Sequence, residues 1–224
     1  MENAIELVNL SKEFKNKLLY ENVDLSIKKG ECVGFVGANG VGKSVLFQLI
    51  SGLLPVSSGK VIVNGKQLGT DGCDFPEDVG ILINEPGYIE YYSGYKNLKM
   101  LAEIQNKITD EQIKETMEKV GLDYNDRTPV KKYSMGMKQK LGIAQAIMEN
   151  QKIIILDEPY NALDFQTNKE ITSILKNLKE QGKTILLTSH QHEYLDKLCD
   201  RIFCVEDRKV VPFDEELRRK YFEI

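Results

Sequence analysis

A glycine-rich segment that ends in lysine and serine is the strongest chemical signal in the sequence. Residues 37–44 fit the spacing G-x-x-x-x-G-K-[ST], which predicts a tight loop whose backbone N–H groups converge on a phosphate chain. A helix that follows such a loop adds the positive end of its dipole. Lys43 would reach the β- and γ-phosphates of a nucleotide, and the Ser44 hydroxyl would bind Mg²⁺. The predicted phosphate-binding residues are Gly37, Ala38, Asn39, Gly40, Val41, Gly42, Lys43 and Ser44.

Two adjacent carboxylates follow an aliphatic run later in the chain. Asp157 and Glu158 come directly after the residues Ile-Ile-Ile-Leu. In open α/β sheets ligands gather at the carboxyl ends of strands, so both acids are expected beside the phosphate loop. Asp157 suits direct or indirect coordination of Mg²⁺, and Glu158 would polarise a water molecule for attack on the γ-phosphorus. The alternative is a pair of solvated acids at a strand end, which the phosphate loop disfavours.

A third segment, residues 133–140, opens an apolar helix that is expected over residues 141–148. Ser134 would be the N-cap of this helix, and Gly136 would permit close approach of the backbone. Together they would form a second anion-binding helix N-terminus. Taken alone, the segment indicates only the start of a helix.

The elements that must position these residues are typical of an α/β fold. Short, nearly continuous apolar runs predict strands buried on both faces, as in a parallel sheet. Alternation of such strands with helices is the pattern of an α/β domain. The runs are residues 31–36, 152–156 and 184–188, and the helices that follow them are expected at 45–50, 166–180 and 193–198.

The N-terminal part of the chain has a different pattern. The first thirty residues and residues 60–66 are β-like, and Asn64-Gly65 is a strong hairpin turn signal. We therefore expect an N-terminal antiparallel β layer beside the parallel core.

A helical block interrupts the series of strands. Residues 95–148 are mostly helical in pattern, with a cap at Thr109 and a stop at Gly121. We expect a single domain over residues 1–224, in which a helical lobe of about 87–149 is inserted in a core lobe of about 1–86 and 150–224. The predicted core positions of the helical lobe are Ile104, Ile108, Ile113, Met117 and Val120.

Composition and charge restrict the possible partners. A net charge of −4 argues against nucleic acid as the main partner, because binding to a phosphate backbone needs a basic face. The four cysteines lack metal-ligand spacing, so reduced, mostly buried thiols in a cytosolic protein are expected. The sequence has no apolar run approaching the roughly 18 residues that cross a bilayer. We therefore expect a cytoplasmic protein that acts on a membrane only by docking.

The order of these motifs resembles that of an ABC-transporter ATPase domain. The phosphate loop is followed by Ser-x-Gly with a downstream glutamine, by Asp-Glu-Pro after four aliphatic residues, by Asn-Ala-Leu-Asp, and by Thr-Ser-His at residues 188–190. The resemblance covers essentially the whole chain and implies a P-loop NTPase (RecA-like) core. In it, Asp157 is the Walker B acid and Glu158 is the catalytic base.

The resemblance also implies roles that residue spacing alone does not give. Phe14 is similar to the aromatic residue that stacks on adenine. Ser134 and Gly136 match the signature motif, which contacts the γ-phosphate bound to the opposite subunit. Asp164 matches the acid that couples the two sites across a dimer, and His190 matches the switch histidine that donates to the γ-phosphate.

Several positions differ from the commonest form of the family. Val45, the last nucleotide-binding position of the loop, stands where threonine is usual, so one hydroxyl contact to phosphate is missing. Met135 and Met137 replace a glycine and a glutamine of the signature. Asn84 stands at the Q-loop position with an amide one methylene shorter than that of glutamine, so its Mg²⁺ contact needs a bridging water, or Glu85 takes the role. None of these changes removes a core catalytic group.

The resemblance implies an ATP hydrolase with ATP and Mg²⁺ as cofactors. Its expected partners are a second ATPase subunit, in a homodimer or heterodimer, and a separate integral-membrane permease at the cytoplasmic face of the membrane. The sequence is similar to the bacitracin and lantibiotic resistance branch, which implies export of a peptide or related amphiphile. A soluble ABC ATPase without a transport role is the alternative, disfavoured by one domain and no sustained heptads. An ATP-binding module without turnover is disfavoured by Glu158.

Overall fold

The computed structural model describes residues 2–15, 17–70, 72–84 and 86–222, without the side chains of residues 192 and 222. The strands are β1 (Asn3–Phe14), β2 (Lys17–Lys28), β3 (Cys32–Val36), β4 (Ser58–Val63), β5 (Lys66–Gln67), β6 (Val79–Leu82), β7 (Ile153–Leu156), β8 (Thr184–Thr188), β9 (Arg201–Glu206) and β10 (Lys209–Pro212). The helices are α1 (Lys43–Ile50), α2 (Gly94–Gln105), α3 (Asp110–Lys119), α4 (Met135–Ile147), α5 (Phe165–Glu180), α6 (His192–Leu198) and α7 (Glu215–Phe222).

A six-stranded sheet forms the centre of the molecule, in the order β10-β9-β3-β8-β7-β6. Its strands pair in parallel except for β10, which pairs antiparallel with β9. Every residue of β3, β7 and β8 is buried, which explains their unbroken apolar sequences. The predicted parallel core is confirmed, and the ends of these strands place the phosphate loop, the acids and residue 188 at one edge.

A second, antiparallel sheet has the order β2-β1-β4-β5. Asn64 and Gly65 join β4 to β5 with positive φ angles of 50° and 77°, as the predicted hairpin turn requires. Buried positions on β1 include Ile5, Leu7 and Leu10, which pack in the same apolar cluster as Phe47 of α1. The predicted N-terminal antiparallel layer is therefore present.

Among the described residues between β6 and β7, the chain forms three α-helices and a short 3₁₀ turn. Thr109 caps α3 in a capping box with Gln112, and Gly121 follows α3 with a φ of 73°, as the sequence indicates. The C-terminal half of α4 packs directly on β6: a Cβ added to Gly80 would lie 1.7 Å from the carbonyl oxygen of Ala146. The division of the chain into two lobes at about residues 87 and 149 stays a prediction.

One predicted core position is wrong. Ile113, Met117 and Val120 are buried and Ile108 is half-buried, but Ile104 is 77% exposed. Helix α2 buries Leu98 and Ala102, and residue 104 projects from a different face of the same helix. The predicted apolar spacing continues through Asn106, but α2 ends there because Asn106 has a left-handed conformation. The predicted positions therefore do not lie on one helix.

Membrane and cysteine features complete the fold. In the part of the chain that the structure describes, no helix combines the length and the apolar character needed to cross a bilayer. The four cysteines are free thiols, of which Cys32 and Cys204 are buried and Cys73 and Cys199 are partly exposed.

Candidate active site

The phosphate loop connects the end of β3 to the start of α1, as its sequence predicts. Two glycines allow its shape. Gly37 has a φ of 145°, and a Cβ there would lie 2.5 Å from the carbonyl oxygen of Val205. Gly42 has a φ of 119° and is the N-cap of α1. Tyr20 of β2 donates its hydroxyl proton to the Gly42 carbonyl oxygen at 2.8 Å, which ties the antiparallel layer to the loop.

Lys43 lies inside this loop. Its ammonium group donates to the carbonyl oxygens of Gly37 at 2.9 Å and Ala38 at 3.3 Å. Burial lowers the pKa of Lys43, and the nearby charges of Glu158 and Asp157 oppose that shift. The loop therefore holds a cation whose bonds to backbone oxygens can be exchanged for bonds to phosphate oxygens.

The two predicted acids lie at the end of β7, directly beside the end of β8. Asp157 donates its backbone N–H to the Leu82 oxygen at 2.7 Å, which continues the pairing of β6 with β7. The Thr188 hydroxyl donates to Oδ1 of Asp157 at 2.7 Å and accepts the backbone N–H of Glu158 at 2.7 Å. The sequence pattern predicts no role for Thr188, although this residue opens the Thr-Ser-His motif that contains His190.

Glu158 is held in an unusual backbone conformation. Its φ of 49° lies in the left-handed region, which costs a residue other than glycine about 1–3 kcal/mol. Oε1 of Glu158 lies 3.1 Å from Nε2 of His190. No donor among the described residues, His190 included, meets hydrogen-bond geometry with this buried oxygen. Burial raises the pKa of Glu158 above its ordinary value, and the charges of His190 and Lys43 oppose the rise.

Two adjoining cavities bring most of the predicted residues together. They share Ser44, Asp157 and Glu158, so the acids and the loop face the same space. The cavity of about 230 Å³ is lined by Asn39, Gly40, Gly42, Lys43, Ser44, Val45, Asp157, Glu158 and His190. The cavity of about 390 Å³ is lined by Ser44, Asn84, Met135, Gln139, Asp157, Glu158, Asn161 and Ala162.

The second cavity contains residues that were not predicted as site residues. Gln139, Asn161 and Ala162 belong to motifs that the sequence shows, and that membership was the available signal. Asn84 reaches the cavity from the end of β6 with a φ of 60°. Glu85, the alternative to Asn84, lies outside the described residues.

Seven predicted residues line neither cavity: Gly37, Ala38 and Val41 of the loop, and Phe14, Ser134, Gly136 and Asp164. Phe14, 41% exposed, ends β1, with the Lys12 ammonium 4.6 Å from its ring centroid. Ser134 and Asp164 are the N-caps of α4 and α5, each accepting a backbone N–H from its own helix. A Cβ on Gly136 would lie 2.9 Å from the Thr167 side chain, so the close approach predicted at Gly136 is to α5.

The donor set fits a nucleotide with a hard divalent cation. The Lys43 ammonium lies inside the loop, the Ser44 and Asp157 side chains face one cavity, and the Glu158 oxygen is buried without a hydrogen bond. Within the described ranges, no three His, Cys, Asp or Glu residues cluster as a protein-only metal cage. Mg²⁺ commonly takes one or two protein ligands and completes its shell with substrate phosphates and water. Ser44 and Asp157 are suited to that arrangement.

Comparisons with known proteins give one result. The family model described as ABC transporter matches residues 20–161. The lantibiotic transport ATP-binding protein SrtF of Streptococcus pyogenes is 32% identical over 92% of this chain and 89% of its own length. The bacitracin transport ATP-binding protein BcrA of Bacillus licheniformis is 31% identical over 100% of this chain and 75% of its own length.

A solved structure supports the same fold. The ATP-binding cassette MJ0796, in a dimeric post-hydrolysis state bound to ADP and Pi, superposes with a TM-score of 0.81 at 25% identity. The match covers 92% of this chain and 96% of that one. The predicted α/β fold with a P-loop NTPase core is confirmed by this likeness.

Proposed function

The chain belongs to the ABC transporter family and is an ABC-type ATP hydrolase, and from that premise we propose that it binds MgATP at residues 37–45 and drives a separate membrane permease. The observation that carries the proposal is the convergence of Lys43, Asp157, Glu158 and His190 on one cleft. Each of these residue types matches a requirement of phosphoryl transfer to water: a cation for phosphate, a metal ligand, a base and a donor.

Each side chain of the cleft has a proposed task. The N–H groups of residues 37–44 and the Lys43 ammonium bind the phosphates, while Ser44 and Asp157 hold Mg²⁺. Glu158 orients a water molecule and takes its proton, and His190 donates a hydrogen bond to the γ-phosphate. When bound, Mg²⁺ neutralises charge on the phosphate oxygens.

Asn84 and Val45 adjust this site. Asn84 lines the same cavity as Ser44 and Asp157, which supports a contact to the metal, directly or through water. Val45 lines the cavity of the loop and supplies a methyl surface where a hydroxyl is usual. We expect hydrolysis to survive both departures, because the base and the phosphate cation are other residues.

The residues outside the cleft are assigned to adenine and to a second subunit. We propose that Phe14 stacks on the adenine ring, since its ring is partly exposed at the end of β1. Ser134, Gly136 and Asp164 lie at helix N-termini outside the cleft. A second copy of this chain, or a close relative, would bring its loop-bound nucleotide to them, as the dimeric state of MJ0796 supports. The helical lobe of about 87–149 would then present the signature to the partner's nucleotide.

The transported substrate is proposed from relatives. SrtF and BcrA are named as transport proteins for a lantibiotic and for bacitracin. We propose that this chain energises export of a peptide antibiotic or similar amphiphile. It would do so from the cytoplasmic face, docked on an integral-membrane permease.

Phosphate release from MgATP tests the enzymatic part. The purified protein is expected to hydrolyse ATP in a Mg²⁺-dependent manner, and Lys43→Ala is expected to abolish ATP binding, because the loop loses its phosphate cation. The control is Lys107→Ala, which removes an exposed lysine between α2 and α3. Undiminished nucleotide affinity in Lys43→Ala would remove the assignment of the loop.

Purification of the native protein from membranes tests the transport part. An integral-membrane protein with several spanning helices should co-purify with this chain. Recovery in ribosomal or DNA-bound fractions instead would contradict the transport role.

A further inference from the structure

The hydroxyl of Thr188 is bonded on both sides by residues of the candidate active site. Thr188 is fully buried at the end of β8. Its Oγ1 lies 2.7 Å from Oδ1 of Asp157 and 2.7 Å from the backbone nitrogen of Glu158. A hydroxyl has one proton and accepting lone pairs, so it donates to the Asp157 carboxylate and accepts the Glu158 N–H.

The register of the sheet creates this arrangement. Strands β7 and β8 are parallel, with Leu156 opposite Leu187. The next residue on each strand is Asp157 on one side and Thr188 on the other, where the sheet ends. A hydrogen bond to a carboxylate is shorter and stronger than a neutral one, so this contact fixes the acid firmly.

The second bond acts on the backbone of the base. Glu158 has a φ of 49°, a conformation that must be held by its surroundings. The Thr188 oxygen accepts the N–H of this strained residue. The hydroxyl therefore determines where the backbone leaves β7 and, through it, the direction of the Glu158 side chain.

We propose that Thr188 is a positioning residue that sets the metal acid and the catalytic base with one hydroxyl. Its bond occupies Oδ1 of Asp157 and leaves the other carboxylate oxygen for a cation. Its bond to the Glu158 N–H holds the base toward His190, whose Nε2 lies 3.1 Å from Oε1. The inference rests on the proposed roles of Asp157 and Glu158.

The neighbouring serine provides a matched control. Ser189 is also buried, but its hydroxyl accepts the backbone N–H of Gln191 at 2.9 Å, within its own turn. Removal of the Ser189 hydroxyl therefore deletes a buried oxygen from the same strand end without touching either acid.

The test compares Thr188→Val, Thr188→Ser and Ser189→Ala with the unchanged protein in steady-state ATP hydrolysis. Thr188→Val keeps the shape but removes both bonds, and we expect kcat to fall about 100-fold, the cost of a displacement of about 1 Å. The KM for ATP should stay within about threefold, because the phosphate loop is intact. Thr188→Ser should retain at least half of kcat, and Ser189→Ala should match the unchanged protein.

A second readout is the dissociation constant of Mn²⁺ in the presence of a non-hydrolysable ATP analogue, measured by electron paramagnetic resonance of the free Mn²⁺. It should rise at least several-fold in Thr188→Val and stay unchanged in Ser189→Ala, because only the former frees the Asp157 carboxylate. Binding of a fluorescent ATP analogue verifies that each variant is folded. If Thr188→Val fails to bind it, Thr188→Ala is measured against the same criteria.

Two results would overturn the inference while leaving the proposed function intact. One is a kcat of Thr188→Val within threefold of that of the unchanged protein. The other is a kcat of Thr188→Ser as low as that of Thr188→Val. Absence of metal-dependent turnover in the unchanged protein would instead overturn the proposed function itself.

Discussion

At the scale of single residues, the proposed chemistry depends on Glu158. Lys43 and His190 both act on its charge, while burial acts in the opposite direction. We propose that the Glu158 carboxylate, which has a buried oxygen without a hydrogen bond, accepts the proton of the attacking water. Phosphate binding and proton transfer are thus assigned to different side chains, so they should be separable by mutation.

Glu158→Gln should separate them. The amide keeps the shape but cannot accept the proton of water, so turnover should fall by about 10²–10⁴-fold, as for loss of a general base. ATP binding should persist, because Lys43 and the loop are unchanged. Phosphate release and ATP-analogue binding measure the two effects. Glu118→Gln on the exposed surface of α3 is the control, and full turnover in Glu158→Gln would dismiss this residue as the base.

The sequence predicted the residues of the proposed chemistry better than the residue that positions them. Lys43, Ser44, Asp157 and Asn84 were found from motif and family pattern, and the structure places them around one cleft. Thr188 was missed because its role depends on the register between β7 and β8, which no local pattern encodes. The roles of Lys43, Ser44, Asp157 and Asn84 in binding and catalysis stay predictions.

At the scale of elements, parallel pairing explains why residues far apart in sequence meet. Each of β3, β7 and β8 ends at the same edge and delivers one part of the cleft. The apolar runs predicted these strands, because a strand that is buried on both faces has a nearly continuous apolar sequence. Helix α2 was harder, because the buried face that excludes Ile104 is set by packing against neighbouring helices.

Contact between α4 and β6 gives a prediction for stability. Gly80→Ala would place a Cβ 1.7 Å from the backbone oxygen of Ala146, so helix and strand must separate. We expect a loss of about 3 kcal/mol or more, at or above the upper end for overpacking, seen as a lower urea midpoint. Gly87→Ala is the matched control, because a Cβ there meets nothing within 4 Å. Equal midpoints for the two variants would contradict the described packing.

Glu31 gives a prediction for pH dependence. It pairs with Arg201 at the start of β9 and accepts the backbone N–H of Lys28 at 2.8 Å. Burial acts to raise the pKa of Glu31, but the bonds to Arg201 and Lys28 outweigh it, so the pKa lies below the ordinary 4.5. Because the pKa of Glu31 is lowered in the folded state, its ionised carboxylate stabilises the fold above pH 4.5. This stabilisation is lost as the pH falls through the folded-state pKa.

Glu31→Gln should therefore cost about 1–2 kcal/mol at pH 7, the value of a charge-assisted hydrogen bond that is partly exposed. The difference in the free energy of unfolding between this variant and the unchanged protein should become smaller below pH 4.5. Urea unfolding at a series of pH values measures it. Glu77→Gln, in an exposed pair with Lys66, is the control and should have little effect at any pH. A difference that widens at low pH would contradict the role of the ion pair.

At the scale of the whole molecule, one face carries the cleft and the starts of α4 and α5. Met135 and Phe165 are exposed beside the two capped helix N-termini, and Phe165 is 76% exposed. Helix N-termini attract anions. A nucleotide held in the loop of a second copy is the anion proposed for them, so ATP should join two copies and hydrolysis should release them.

The proposal that ATP joins two copies is tested by the mass of the Glu158→Gln variant with saturating MgATP, measured by size-exclusion chromatography with light scattering. We expect a mass of one copy without nucleotide, of two copies with MgATP, and of one copy again after exchange for ADP. The double variant Lys43→Ala/Glu158→Gln should stay a single copy throughout. A single-copy mass for Glu158→Gln while ATP is demonstrably bound would contradict the account.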